Sequence, residues 1–241
     1  MSKNRLIIMS TRDFKLTPLY AENFPFLIFY SFKAGSSSII KWFLFQIGKF
    51  EEGKTAIHQY LYGNYFLQQD YRNKLLKEMF TGNKQWLKVV RNPYMRAVSS
   101  FLHVLKYQNI IDNNQKRGCS FKEFLYYLKK LNIKTVDQLF RQQYLQNEEK
   151  YMKYIHLEKF SDEIRLLEQK YQLPTSPLEE ITYTWHHNAD KMGIEGDFAN
   201  KTLTKESFKH PLPTYNSFYD EENLRLVKEI YKDDFIYYPN L

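Results

Sequence analysis

The chain has little cysteine, glycine and proline and no long apolar run, and each shortage excludes a class of protein. Cys119 is the only cysteine among 241 residues, so no disulfide can form within the chain, and a reducing compartment suits it. Glycine and proline occur 8 times each, and no Gly- or Ser-rich tract or repeat divides the sequence, so we expect a single domain over residues 1–241. No segment reaches the roughly 18 apolar residues of a membrane span, and Leu6 to Met9 is too short for a signal-peptide core. We therefore expect a cytoplasmic protein without membrane association.

The charge balance is basic but mixed. A formal net charge of +8 invites a nucleic-acid partner, because lysine and arginine bind phosphate backbones. The basic residues are interleaved with acids, as from Lys228 to Asp234, and no basic cluster is longer than Lys129-Lys130. We therefore predict a solvated surface without a nucleic-acid partner. The positive charge would equally attract a small anionic ligand.

Residues 26 to 48 combine an apolar run with a helical pattern. Phe26 to Tyr30 has no polar alternation, which predicts a strand buried on both faces, the parallel kind that crossover helices cover. Gly48 is placed to end the following helix at C′. That helix is indicated by apolar residues at helical spacing, namely Ile39, Ile40, Phe43, Leu44 and Ile47.

The loop between this strand and helix has the residues of an anion site. A helix start leaves backbone N–H groups unpaired and carries partial positive charge. Lys33 adds a full charge, and Gly35 lets the main chain approach a ligand closely. Hydroxyls that can cap the helix or bind phosphate oxygens follow at Ser36, Ser37 and Ser38. We interpret the loop as a phosphate site; the alternative is an ordinary strand, turn and helix with a serine cap.

A second strand-to-helix junction lies between residues 85 and 105. Trp86 to Val90 predicts a strand that ends directly in Arg91. Asn92 can cap the next helix, and Pro93 suits its first position. Arg91 therefore stands where ligands bind in open α/β sheets.

Ser99 lies on the second turn of that helix. Helix geometry places it roughly 100° from Val98, which belongs to the predicted buried stripe, so Ser99 can face the strand ends. Arg91 and Ser99 could converge on one phosphate, although an arginine after a strand is also commonly a surface ion pair. Arg96 is predicted to be a solvated helix residue.

Two common nucleotide motifs are absent from the chain. An ATP or GTP P-loop needs G-x-x-x-x-G-K-[ST], whereas Lys33 precedes Gly35 here. The Rossmann fingerprint G-x-G-x-x-G does not occur. Both a magnesium-dependent NTPase and a dinucleotide-binding enzyme are thereby disfavoured.

Together the two junctions resemble the sulfotransferase family that uses 3′-phosphoadenosine 5′-phosphosulfate (PAPS) as sulfuryl donor. In that family a P-K-x-G-[ST]-[ST] loop binds the 5′-phosphosulfate, and Phe32 here replaces the usual proline. The remaining positions of that loop are occupied by Lys33, Ala34, Gly35, Ser36, Ser37 and Ser38. A second element, R-[ND]-P-x-x-R-x-[VL]-S, binds the donor's 3′-phosphate, and Arg91 to Ser99 matches it. The stretch from Tyr219 to Phe235 also looks like the C-terminal helix of bacterial members.

The resemblance implies a reaction and roles for two residues. The acceptor's hydroxyl or amine attacks sulfur, a His or Glu removes its proton, and 3′-phosphoadenosine 5′-phosphate (PAP) is released without a metal. Lys33 would neutralise the departing phosphate oxygen, a contribution of roughly 3 kcal/mol. His58 is the first candidate for the base, because an imidazole titrates near working pH.

His58 has several alternatives. A histidine in the aromatic-rich stretch from Thr55 to Phe66 is also commonly a packed residue. His156 and Glu158 alternate onto one face of a predicted strand, and Ser161 could cap the helix after it. The pair His186-His187 sits in a polar loop that lacks partners at zinc spacing, so we predict no metal.

We therefore predict a three-layer α/β domain with a mostly parallel sheet flanked by helices, of the P-loop-like sulfotransferase kind. Its strands include residues 26 to 30, 86 to 90 and 152 to 157. Ser120 with Glu123 predicts a capping box. The predicted function is sulfuryl transfer to a soluble small molecule, such as a secondary metabolite; a carbohydrate acceptor or a non-catalytic nucleotide-binding module are the alternatives. Oligomeric state stays open.

Overall fold

The structure is a computed structural model, which describes residues 17–107, 118–183 and 191–239. Its regular elements follow in chain order. They are β1 (Phe26–Tyr30), α1 (Ser36–Gln46), α2 (Phe50–Gly53), α3 (Ile57–Leu61), α4 (Gln69–Thr81), β2 (Gln85–Val90), α5 (Pro93–Tyr107), α6 (Phe121–Lys129), β3 (Met152–His156), α7 (Phe160–Lys170), α8 (Leu178–Thr182), β4 (Met192–Ile194), β5 (Leu212–Pro213) and α9 (Glu221–Ile230).

The three long strands form one parallel sheet in the order β1-β2-β3. In register, Phe26 pairs with Gln85 and Trp86 pairs with Met152. All three strands were predicted, and β3 ends at His156, one residue earlier than expected. Because the strands are parallel, their carboxyl ends lie along one edge, which is where open α/β sheets bind ligands.

Helices cover both faces of this sheet. Alternate residues of β1 point to opposite sides, so Ile28 packs in a cluster with Ile40 and Phe43 of α1. Phe29 packs on the other side, in a cluster with Met79 of α4. The three-layer arrangement predicted from the unbroken apolar run is confirmed.

The described residues divide into two compact units. The first holds the residues up to Arg91 and those from Tyr144 to Tyr183, and it contains the parallel sheet with α1 to α4, α7 and α8. The second holds Asn92 to Tyr107, Gly118 to Gln143 and Lys191 to Pro239, with α5, α6, α9 and the parallel pair β4-β5. Its core contains an aromatic cluster of Phe101, Phe121, Phe124 and Phe218, with ring centroids 5.4–6.4 Å apart. The single domain remains a prediction.

Several local predictions are confirmed. Gly48 follows the end of α1 with φ 70°. Asn92 caps α5, since its Oδ1 accepts from the N–H of Tyr94 at 2.9 Å. The capping box of Ser120 and Glu123 is present at the start of α6.

Two local predictions are wrong. Arg96 is 1% exposed, because its Nη2 donates to the carbonyl of Arg141 at 2.7 Å and its guanidinium lies over the ring of Tyr231. Its Nη1 is also 3.9 Å from a carboxylate oxygen of Asp234, which compensates the buried charge. Ser161 does not cap α7, which begins at Phe160 without a side-chain cap.

Candidate functional site

The loop between β1 and α1 is a tight turn with two left-handed residues. The Ala34 N–H donates to the Ser31 carbonyl at 3.2 Å. Lys33 and Gly35 both have positive φ, at 64° and 81°. Gly35 is the N-cap of α1, and no side chain caps the helix there, so the first backbone N–H groups have no partner inside the helix. The alternative of a serine cap is therefore wrong, and the helix start carries oriented donors.

The predicted residues of this loop differ in exposure. Ala34 is fully buried, Ser36 and Ser38 are buried, and Ser37 and Lys33 are half-buried. The buried serines stand in the first turn of α1, where the partial positive charge of the helix is greatest. Hydroxyl and N–H groups of that turn are thus held in fixed positions at the end of β1.

Gly35 is required by its neighbours as well as by its φ. A Cβ atom at this position would lie 2.5 Å from Cδ1 of Leu157, which follows β3 directly. The turn after β3 therefore packs against the loop after β1, across the end of β2. Only glycine allows this approach without a shift of Leu157.

Arg91 joins the same edge from β2. It is half-buried at the end of the strand, and its Nη1 donates to the carbonyl of Lys33 at 3.0 Å. The structure thus brings together two basic residues that are 58 positions apart in sequence. A guanidinium carries five N–H donors, so bracing this loop is compatible with binding a phosphate.

His58 lies beside the loop. It is exposed on α3, and its imidazole stacks on the ring of Phe32 with centroids 5.6 Å apart and planes 19° from parallel. The alternative that His58 is a packed core residue does not fit its exposure. A candidate base and the loop of Lys33 therefore belong to one cluster in the first unit.

Ser99 lies on α5 in the second unit, half-buried, between Val98 and Ser100, which are fully buried. Its neighbour Ser100 is a structural residue, because its Oγ donates to the carbonyl of Leu139 at 2.7 Å. The exposure of Ser99 fits the helical face predicted for it. Its role at a phosphate stays a prediction from the motif.

The other candidate bases have different surroundings. His156 ends β3, where its backbone N–H donates to Glu163 at 3.0 Å and its Nδ1 lies 3.2 Å from the same carboxylate. Glu158 is exposed in a 3₁₀ turn after the strand, so the predicted strand alternation does not extend to it. His186 and His187 lie outside the described residues.

A buried ion pair on β2 was not predicted. Lys88 is 2% exposed in the middle of the sheet, and its Nζ lies 2.8 Å from both carboxylate oxygens of Glu148, which is 0% exposed. Burial, followed by the negative charge of Glu148, raises the pKa of the nearby Tyr154. An apolar strand with one lysine was the only sequence signal for this pair.

Lys41 is a second buried lysine in the first unit. It projects from α1, and its Nζ donates to the carbonyls of Glu180 at 3.2 Å and Tyr183 at 2.5 Å, near the end of α8. Burial lowers the pKa of Lys41. Carbonyl partners at a helix end compensate the buried ammonium.

The second unit contains a cavity of about 400 Å³. Met192 and Phe208 form apolar parts of its lining, and Lys191, Lys209 and His210 contribute basic groups. The stretch from Met192 to Lys209 contains β4 and a 3₁₀ helix at Lys205–Lys209.

Two features are absent from the part of the chain that the structure describes. Within residues 17–107, 118–183 and 191–239, no three His, Cys, Asp or Glu side chains are grouped so that they could hold a metal ion. In the same part of the chain, no helix has the length and apolar character needed to cross a membrane.

Comparison with known proteins gives one family. The model of the sulfotransferase family matches residues 19–239, nearly the whole chain. No curated protein and no solved structure matches the chain. The chain belongs to the sulfotransferase family, and its parallel sheet flanked by helices agrees with that fold.

Proposed function

We propose that the protein transfers the sulfuryl group of PAPS to a hydroxyl or amine and releases PAP. Membership of the sulfotransferase family supports sulfuryl transfer in general. The observation that supports this donor is the hydrogen bond from Arg91 to Lys33. It unites the residue assigned to the 3′-phosphate with the loop assigned to the 5′-phosphosulfate.

The donor's 5′ end is assigned to the loop after β1. In this assignment, the backbone N–H groups at the start of α1 and the Lys33 ammonium bind the anionic group. The oriented helix start is part of the fold and needs little rearrangement when the ligand binds. We assign the 3′-phosphate to Arg91, with a hydroxyl contact from Ser99 on the strength of the motif.

The reaction moves one group and one proton. The acceptor's oxygen or nitrogen forms a bond to sulfur while the bond between sulfur and the bridging phosphate oxygen breaks. That oxygen keeps the electron pair, and the Lys33 ammonium stabilises its charge. The acceptor's proton passes to the imidazole of His58, the candidate base whose ring stacks on Phe32 of this loop. The scheme uses no metal.

The acceptor is proposed to be a soluble small molecule, such as a secondary metabolite, in the cytoplasm. The single cysteine suits that compartment. A carbohydrate acceptor is the second candidate within the same chemistry. No nucleic-acid or membrane partner is proposed.

Turnover assays with purified protein test the donor and the two catalytic roles. We expect acceptor-dependent release of PAP across a panel of phenols, amines and sugars. Lys33→Ala should lower kcat by about 100-fold or more, and His58→Ala by about 10²–10⁴-fold. Lys49→Ala is the matched control, because Lys49 is an exposed lysine paired with Glu52.

Two outcomes would contradict the proposal. PAP binding without turnover over the whole panel would favour a non-catalytic nucleotide-binding module. Preference for ATP with magnesium over PAPS would favour a kinase, because Arg91 and Ser99 are assigned to a phosphate that ATP lacks.

A further inference from the structure

The turn that carries Lys33 has an unusual second residue. The hydrogen bond from Ala34 N–H to the Ser31 carbonyl closes the turn, and φ is positive at Lys33 but not at Phe32. This is the φ pattern of a type II turn, in which proline is common at the second position because its ring fixes φ. Phe32 occupies that position, so the chain lacks the restraint that a proline would give.

The left-handed backbone conformation of Lys33 also has to be stabilised by neighbouring residues. Positive φ is unfavourable for a residue with a Cβ atom, so the surroundings must hold Lys33 in this conformation. Arg91 provides one contact, through the Lys33 carbonyl. The preceding residue, Phe32, is held through its ring, which stacks on His58.

The stack also restricts His58. Its helix α3 has only five residues, anchored in the core by Ile57 and Leu61, which are 8% and 1% exposed. The backbone of α3 is therefore fixed, whereas an exposed side chain on it would exchange rotamers on the ps–ns timescale. The near-parallel contact with Phe32 favours the rotamer that keeps the imidazole against the loop.

We propose that Phe32 is a positioning residue, whose stack with His58 replaces the missing proline restraint and holds the imidazole beside the loop of Lys33. Its consequence for catalysis rests on the proposed function. The stack itself does not, and it can be measured without turnover.

NMR of the His58 imidazole tests the stack directly. The aromatic C–H resonances are assigned by their loss in His58→Gln. In wild type we expect them displaced by the Phe32 ring current, and we expect this displacement to be lost in Phe32→Leu and kept in Phe32→Tyr. Phe80→Leu, which removes a phenylalanine that is 49% exposed on α4, is the matched control and should leave the resonances unchanged. Unchanged resonances in Phe32→Leu would overturn the proposal.

Kinetics tests the consequence. Phe32→Leu should lower kcat about tenfold and weaken PAP binding severalfold, because the turn loses its restraint, and Phe32→Tyr should retain kcat within about threefold. In a His58→Gln background Phe32→Leu should have no further effect on kcat, because there is no imidazole left to position. Phe32→Pro should keep PAP affinity, since the turn is restrained again, but should lower kcat as Phe32→Leu does.

Full kcat in Phe32→Pro would show that only the turn matters and would overturn the positioning role. An equal loss of kcat from Phe32→Leu in the wild-type and His58→Gln backgrounds would also overturn the positioning role. If wild-type protein shows no sulfuryl transfer, the proposed function fails, and the NMR experiment still decides whether the stack exists.

Discussion

Substitution of Gly35 by alanine should lower the free energy of unfolding through two separate contributions. The left-handed backbone, with φ 81°, costs an alanine about 1 kcal/mol. The new Cβ would also lie 2.5 Å from Cδ1 of Leu157, and overpacking of this kind costs about 1–3 kcal/mol. The lower part of that range applies, because the obstructing atom is the end of a half-buried side chain that can shift.

Gly48→Ala is the matched control. Gly48 has a similar φ of 70°, but nothing lies within 4 Å of an added Cβ, so only the backbone part applies. We expect a loss of about 2–3 kcal/mol for Gly35→Ala and about 1 kcal/mol for Gly48→Ala. At this chain length these losses lower Tm by roughly 4–12 °C and roughly 2–4 °C.

Urea unfolding followed by circular dichroism measures both variants. The double variant Gly35→Ala with Leu157→Ala should lose less stability than the sum of the losses in the two single variants. The smaller side chain at position 157 makes room for the new Cβ. Equal losses from Gly35→Ala and Gly48→Ala would refute the contact between the Leu157 turn and the loop.

Three further predictions concern residues away from the loop. Lys88→Met should cost about 3–5 kcal/mol in urea unfolding, because it leaves the buried Glu148 carboxylate without its cation, and adding Glu148→Leu should recover most of that loss. Cys119 should not react with a thiol reagent at pH 8 until urea unfolds the protein, since it is 4% exposed and burial raises the pKa of its thiol to about 12. Burial alone would raise the pKa of Asp220, but a backbone hydrogen bond from Asn223 and the Lys122 ammonium hold that pKa below its usual 3.8. The stabilisation by ionised Asp220 is therefore present above pH 3.8 and lost as pH falls further, so the Tm difference between wild type and Asp220→Asn should shrink in acid.

Each of these has a clear contrary result. Equal stability of Lys88→Met and of the double variant would mean that Glu148 is satisfied without Lys88. Rapid modification of Cys119 in the native protein would contradict its burial. A Tm difference for Asp220→Asn that is independent of pH would show that the carboxylate charge contributes nothing.

The sheet and the loop were predictable because their signals are local. Phe26 to Tyr30 is a short apolar run without polar alternation, and this pattern is typical of a strand covered on both faces. Gly35 and Gly48 stand between a predicted element and its neighbour, where glycine commonly provides positive φ, and both have it. Strand, turn and helix could therefore be placed without knowledge of the tertiary contacts.

Contacts between distant segments could not be predicted in this way. Lys88 and Glu148 are 60 positions apart, and helical or strand periodicity carries no information about which acid meets which base. Arg96 was expected in solvent because arginine is usually exposed, but its carbonyl and carboxylate partners come from segments remote in sequence. The stack of Phe32 on His58 likewise depends on how α3 packs.

Calorimetric binding of two nucleotides to wild type and Arg91→Ala tests the central claim most directly. PAP and adenosine 5′-phosphate differ only in the 3′-phosphate, so the difference between their affinities isolates the contribution of that phosphate. Wild type should bind PAP about 10- to 100-fold more tightly, as expected for a charge-assisted contact of about 1.5–3 kcal/mol. Arg91→Ala should lose that preference. If wild type binds both nucleotides equally, or if Arg91→Ala still prefers PAP, Arg91 and Lys33 do not hold the two ends of one donor.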